Sequence, residues 1–264
     1  MTPKKEPKLR LDELLVKRKL AADLLLAEGL IMAADVTVDG KVITKAGFPV
    51  TEGADIKLQE HARFVSRAGD KLEAALQQFH LQVSGQVCAD IGASTGGFTD
   101  CLLQHGAKEV FAVDVGHGLL HPSLERNARV IIMDRTNARF LETFSTAPKL
   151  ITIDCSFISL RSILPQASKW LTNGGEVIAL IKPQFEASQK DVSRGRGVIH
   201  DPKVRQDILE DILTYAHECG FSVRGLIQSP ITGKKGGNVE YLAHLSYPAS
   251  ENIDIPSLIS HVFK

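Results

Sequence analysis

Several side chains and glycines in this sequence fall where strands end, and those are the positions at which an α/β sheet does chemistry. Val87-Cys-Ala-Asp-Ile-Gly-Ala-Ser-Thr-Gly-Gly-Phe-Thr-Asp100 joins a short apolar run to a glycine-rich turn, and a helix-like pattern follows from about Phe98. A strand, loop and helix of this kind bare the backbone at the turn, where a nucleotide-like ligand can lie against a sheet edge. Two acids follow at strand-length intervals, Asp114 in Phe-Ala-Val-Asp and Asp134 in Ile-Ile-Met-Asp. Three later stretches carry further ionisable groups: Asp154-Cys-Ser-Phe157, Leu180-Ile-Lys182-Pro-Gln-Phe185 and Gly236-Gly-Asn238-Val-Glu240. Parallel strands bring their carboxyl ends to one edge, so Asp154 and Lys182 are expected to face the same crevice as Gly92. A reversed last strand brings its start, Glu240, to that edge too. Lys71 precedes the first strand and opens a helical pattern from which it can lie over the crevice. Taken singly, each is an ordinary residue; a lysine before proline at a strand end is usually part of a loop.

Three ligands compete for the turn. A phosphate-cradling loop ends in Gly-Lys-Ser or Gly-Lys-Thr, and Gly96-Gly97-Phe98 has no lysine, which disfavours ATP and GTP. The dinucleotide fingerprint begins Gly-x-Gly, whereas these glycines stand at 92, 96 and 97. S-adenosylmethionine carries no phosphate and asks only for close backbone approach plus carboxylates. Asp114 is then placed for the ribose diol and Asp134 for the adenine amino group. Asp90 orients the loop or faces the cationic amino-acid end. The expected donor set is Asp90, Gly92, Ala93, Ser94, Gly96, Gly97, Phe98, Asp114 and Asp134, with S-adenosylmethionine as cofactor. The plainer alternative for Asp114 is a strand-end acid capping a helix.

The elements that must position these groups alternate from Val87 onward. Strands are expected at Val87–Ile91, Val110–Val115, Val130–Met133, Leu150–Asp154, Val177–Ile181, Phe221–Ile227 and Tyr241–Leu245. Helices are expected around Phe98–His105, Leu160–Leu171 and Val204–Cys219. Near-continuous apolar strands imply helices on both faces of a mostly parallel sheet. The last two strands are joined by a loop, which predicts an antiparallel hairpin at the sheet edge. The fold class is therefore α/β: a seven-stranded, mostly parallel sheet with a reversed last strand, the architecture of class I (Rossmann-like) methyltransferases.

Ahead of it, residues up to about Glu60 read as a small α+β domain. Leu11, Leu14, Leu15 and Val16 give one helical stripe and Leu24 to Ile31 another. Val36-Thr-Val38, the turn Asp39-Gly40 and Asp55-Ile-Lys-Leu58 then supply a small sheet. The expected boundaries are 8–60 for this domain, 61–66 for a linker, 67–248 for the large domain and 249–264 for a tail.

The 264 residues carry a formal net charge of zero and are 44% hydrophobic and 23% charged, which excludes disordered and fibrous classes. The charge is uneven: Lys4 to Lys19 holds seven basic and three acidic residues, a net charge of +4 that suits a phosphate-facing patch or a solvated helix face. The four cysteines are far apart and lack Cys-x-x-Cys spacing, so neither a zinc site nor a disulfide framework is expected, and metal ligands are expected to be none. His117 and His121 read as surface residues. No secretory signal or membrane span is expected, so the protein is placed in the cytoplasm.

Arg10-Leu-Asp-Glu-Leu-Leu-Val, Gly29-Leu-Ile-Met and Val36-Thr-Val-Asp-Gly-Lys41 resemble the small RNA-binding module first seen in a small-subunit ribosomal protein, the αL motif. The second helix, Ala21 to Glu28, departs from that pattern in having no base. The set Lys71, Asp154, Lys182 and Glu240 resembles the Lys-Asp-Lys-Glu tetrad of FtsJ-like ribose 2′-O-methyltransferases. Together with the amino-terminal module it resembles the TlyA family, described both as hemolysins and as rRNA cytidine-2′-O-methyltransferases. Ser66-Arg-Ala-Gly-Asp-Lys-Leu72, the Gly92 turn, Asp-x-Ser-Phe, Ile-Lys-Pro-Gln-Phe-Glu and Gly-Asn-x-Glu carry the likeness in order.

The resemblance implies catalytic roles for Lys71, Asp154, Lys182 and Glu240. Lys182 would be the base, Lys71 would lower its pKa and orient the hydroxyl, and the two acids would fix the ammonium geometry while pushing the lysine pKa up, so the sequence leaves the net sign open. It implies ribosomal RNA or ribosomal subunits as partner, no membrane partner, and is compatible with a monomer. RNA contacts are expected from Lys8, Arg10, Lys17, Arg18, Lys19, Arg67, Arg194, Arg196, Lys234 and Lys235. The family name also carries a membrane-active hemolysin as an alternative, and an RNA-binding protein that has lost catalysis is a third.

Overall fold

The computed structural model describes residues 8–58, 63–232, 237–250 and 254–263. The amino-terminal module contains β1 (Lys8–Arg10), α1 (Leu11–Lys17), α2 (Leu24–Met32), β2 (Val36–Val38), β3 (Lys41–Val42), β4 (Pro49–Thr51) and β5 (Ile56–Leu58). Its core is Leu11, Leu14, Leu15, Ile31, Val36 and Val50, so the helical stripes close onto the strands. Asp23 starts α2 by accepting a hydrogen bond from the Leu26 amide. The β2–β3 hairpin turns at Asp39-Gly40, both at positive φ as a tight hairpin requires. β1 pairs with β4 in a separate two-stranded sheet that the sequence pattern had not suggested, because three residues are too few to display a period.

The large domain then runs α3 (Ala68–Gln78), β6 (Val87–Ile91), α4 (Gly97–Gln104), β7 (Glu109–Val113), α5 (Pro122–Glu125), β8 (Val130–Met133), β9 (Leu150–Ile153), α6 (Leu164–Trp170) and β10 (Gly175–Ile181). It continues with α7 (Pro183–Glu186), α8 (Gln189–Arg194), α9 (Pro202–Glu218), β11 (Ser222–Gln228), β12 (Tyr241–Tyr247) and α10 (Ile255–Val262). One seven-stranded sheet has the order β8-β7-β6-β9-β10-β12-β11, reversing direction from β6 toward each side. Every pairing from β8 to β10 is parallel. β12 is antiparallel to both of its neighbours, so the hairpin lies at the sheet edge with its reversed strand on the inner side and β11 outermost.

The pleat explains how both faces are covered. Along β6, Ala89 and Ile91 join one core with Trp170 of α6 and Leu209 and Ile212 of α9. Cys88 joins the opposite core with Leu72 and Leu76 of α3 and Phe98 and Leu102 of α4. The carboxyl-terminal residues expected to form a tail instead include α10, which buries Ile259 against the first core and stacks Phe263 on Tyr241 at 5.8 Å. Among the described residues no helix is long and apolar enough to cross a membrane.

Candidate active site

Sheet register brings the chemistry-bearing groups to one edge. β6 and β9 pair Ile91 with Ile153, so Gly92 and Asp154 emerge side by side. β10 and β12 pair Ile181 with Tyr241, so Lys182 and Glu240 lie one residue beyond the same rung. Gly92 has φ +85°, and a Cβ there would stand 2.7 Å from the Asp154 carbonyl oxygen. A larger residue would push the donor turn off the strand that carries the acid.

The turn is organised by carboxylates. Asp114 accepts from the Ser94 amide at 2.8 Å and from the Gly116 amide at 2.7 Å. Asp134 accepts from the Gly118 amide at 2.8 Å and meets His117 Nδ1 at the same distance. Both acids are partly exposed at successive strand ends, on the loops that flank the turn. Asp90 is different. It is fully buried, and its two oxygens accept from Thr99 at 2.7 Å and Thr152 at 3.0 Å, which ties β6 to α4 and β9. Burial is the main cause that pushes its carboxyl up to about 7, against the pull of those hydroxyls. Both Asp90 oxygens are thus turned to threonines of neighbouring elements.

Ala93 and Phe98 bury their side chains, and Gly96 and Gly97 are buried as well. A Cβ on Gly97 would meet Ser66 Oγ at 2.3 Å and Ala68 Cβ at 2.9 Å, so α4 starts in contact with the start of α3. The module leans on the same turn: a Cβ on Gly29 of α2 would be 3.4 Å from Thr95, and one on Gly118 would be 2.7 Å from Leu25. A bared backbone cradle with two strand-end carboxylates, and no lysine or arginine of the turn itself, fits S-adenosylmethionine better than a phosphate ligand.

Beside the turn stand two lysine–carboxylate pairs. Lys71 Nζ is 2.5 Å from Glu240 Oε2, and Lys182 Nζ is 2.5 Å from Asp154 Oδ1 and 3.1 Å from Ser156 Oγ. Lys71, Lys182 and Glu240 are all buried, so these are desolvated ions held by partners. Burial pushes the Lys182 ammonium toward neutrality, but Asp154 and Glu240 outweigh it, and the net pKa lies above the ordinary lysine value. The sign that the sequence leaves open, between a second lysine and two acids, is therefore upward.

Sequence reasoning gave no role to the aromatics next to these pairs. Phe157 is 84% exposed at φ +63°, a strained conformation for a bulky residue, and its ring lies 5.0 Å from that of Phe185. Lys182 Nζ is 5.7 Å from the Phe185 ring centre. The readable signal was that each phenylalanine follows a tetrad residue by three positions.

The residues expected to meet RNA divide. Lys8, Lys19, Arg194 and Arg196 are exposed. Arg10 pairs with Asp12 at 2.5 Å, Lys17 with Glu52 at 2.5 Å, and Arg18 donates to the Ala54 and Glu52 carbonyls. Arg67 is mostly covered, with Nε 3.8 Å from Asp35 of the module. Lys234 and Lys235 lie outside the described residues. His117 is exposed, and His121 caps α5 by accepting from Ser123. One trio escaped the cysteine spacing altogether: buried Glu73 and Cys101 with partly exposed His105. Cys101-x-x-x-His105, one helical turn apart, was its readable half.

Comparison with known proteins accords with this geometry. The FtsJ-like methyltransferase family matches residues 64–247, and the S4 domain matches residues 9–56. The 16S/23S rRNA (cytidine-2′-O)-methyltransferase TlyA of Mycobacterium tuberculosis is 40% identical over 240 residues, 89% of either chain. Hemolysin A of Brachyspira hyodysenteriae is 42% identical over 239 residues, 89% of this chain and 99% of that one. A solved structure from Streptococcus thermophilus, provisionally named a hemolysin, superposes with a TM-score of 0.76 at 43% identity over 98% of this chain and 95% of its own. With its sheet order, its donor turn and its paired lysines, the chain belongs to the FtsJ-like methyltransferase family, and an S4 domain precedes the methyltransferase sheet.

Proposed function

We propose that this chain is an S-adenosylmethionine-dependent methyltransferase that modifies the ribose 2′-hydroxyl of a cytidine in ribosomal RNA. The observation that carries the reading is the double ion pair, buried Lys71 with Glu240 and buried Lys182 with partly exposed Asp154, at the strand ends beside the donor turn. A ribose hydroxyl is a poor nucleophile whose proton must leave as its oxygen attacks. Lys182 is the group to receive that proton, with Lys71 orienting the hydroxyl and the two carboxylates fixing both amines. Lys182 must be neutral to act, and its carboxylate neighbours oppose this. It releases its proton more readily once a cationic ligand shares the crevice, through like-charge repulsion. S-adenosylmethionine supplies the electrophilic methyl when bound. The backbone at Gly92 to Ser94 would hold it, with Asp114 at the ribose diol and Asp134 at the adenine amino group. Holding donor and acceptor in line is the larger share of the rate.

The RNA half of the reading is supported by the S4 domain and by the relatives named as rRNA methyltransferases. Exposed Arg194 and Arg196 suit passing phosphates, and Phe157 offers a face on which a base can stack. Such a substrate places the work in the cytoplasm. The test is transfer of labelled methyl from S-adenosylmethionine to ribosomal RNA or subunits, followed by mapping of alkali-resistant linkages. Label in 2′-O-methylcytidine at discrete positions is expected. Label on bases, or none in RNA, contradicts the proposal. Dye release from liposomes at low protein concentration would favour instead the membrane activity that one relative's name carries.

A further inference from the structure

A second cluster of chemistry-bearing side chains lies between α3 and α4, away from the lysine pairs. Glu73 of α3, Cys101 of α4 and His105 just beyond it bring a carboxylate oxygen, a thiol sulfur and a ring nitrogen within 4.8 Å of one another. Cys101 and His105 are four residues apart, so they share one face, and Glu73 meets them across the helix contact. His105 Nε2 is 3.2 Å from Glu73 Oε2, and Cys101 Sγ is 3.9 Å from the same oxygen. Tetrahedral zinc, with bonds of about 2.0–2.3 Å, separates its ligand atoms by about 3.3–3.5 Å. The two separations from Glu73 Oε2 need only a few tenths of an ångström of adjustment, and the sulfur, now 3.7 Å from His105 Nδ1, would meet an ion held by Nε2 after a small turn of the ring.

The outer contacts also match those of a metal centre. His105 Nδ1 faces the Cys101 carbonyl oxygen at 2.9 Å, and the tautomer that donates there leaves Nε2 as the free lone pair toward Glu73. Glu73 Oε1 accepts from Gln77 at 2.5 Å and from Arg63 at 2.8 Å, leaving Oε2 toward the thiol and imidazole. Between Nε2 and Oε2 there is therefore either a proton or a metal ion. An open surface pocket lined by Gln77, His80 and His105 brings solvent to the His105 side of the cluster.

We propose that Glu73, Cys101 and His105 bind a thiophilic divalent cation of the zinc class. Binding exchanges the thiol proton, and any proton on Nε2, for the ion; no electron is transferred. The ion would staple α3, which carries Lys71 two residues before Glu73, to α4, which starts on the donor turn.

Chelator-treated full-length protein titrated with cobalt(II) is the test. One equivalent is expected to give a thiolate-to-cobalt charge-transfer band in the near ultraviolet, displaced by zinc. Cys101→Ser loses the band and Cys219→Ser keeps it. His105→Gln weakens affinity by more than the ~10–100-fold typical of losing an outer partner. Absence of the band in the wild type, or its survival in Cys101→Ser, overturns the proposal. If circular dichroism shows Cys101→Ser to be unfolded, half-exposed His105 carries the test, and unchanged cobalt affinity in His105→Gln overturns it.

Discussion

Lys182 stands between opposing fields. Burial disfavours its charge, while Asp154 and Glu240 favour it more strongly and raise its pKa. A lysine acting as base must work against those carboxylates, so methyl transfer is expected to climb with pH well into the alkaline range. Glu240→Gln removes one of them, and the climb in a pH–rate profile should move to lower pH even as the maximum falls. A profile that stays in place argues against lysine titration. Asp90 is the reverse case, a buried acid raised from 3.8 to about 7. Between those values the folded state holds a proton that the unfolded chain has released, so this group makes stability fall as pH rises through the window. Asp90→Asn removes that slope. Urea unfolding should show the difference moving in the variant's favour by up to ~4 kcal/mol between about pH 4 and 8. Parallel stabilities across that range would contradict the burial account.

At the scale of elements, the contact between α3 and α4 joins the two halves of the site. Gly97→Ala puts a methyl where Ser66 and Ala68 already stand, and overpacking of this kind costs ~1–3 kcal/mol. Lower urea stability together with weaker donor binding is expected, and a variant as stable as wild type would mean that the helices do not approach so closely. The strands that end in this site were legible because burial on both faces leaves near-continuous apolar runs, and all seven were found within a residue or two. The position of β12 inside β11 was not legible, since two apolar hairpin strands give no sign of which lies outermost. α7 and α8 are too short to show a period, although Ser188 and Asp191 form a readable cap. α10 was readable from Ile255, Leu258, Ile259 and Val262, with Asp254 capping the start.

At the scale of the molecule, the amino-terminal module and the methyltransferase sheet meet at the donor turn. α2 lies against Thr95 and Gly118, and Arg67 approaches Asp35. Those contacts join residues distant in sequence, and no local pattern announces them. Arg194 and Arg196 are exposed, and their replacement by alanine should reduce the slope of log affinity against log salt by ~1.4 for single-stranded RNA. An unchanged slope would mean that they meet no phosphate. The central claim is that the lysine pairs serve transfer of a methyl to a ribose oxygen, not binding of the donor. It is tested most directly by comparing wild type and Lys182→Ala for both donor binding and labelled-methyl transfer to ribosomal RNA. The variant should bind S-adenosylmethionine with near-normal affinity and transfer no methyl, whereas undiminished transfer by Lys182→Ala would contradict the account.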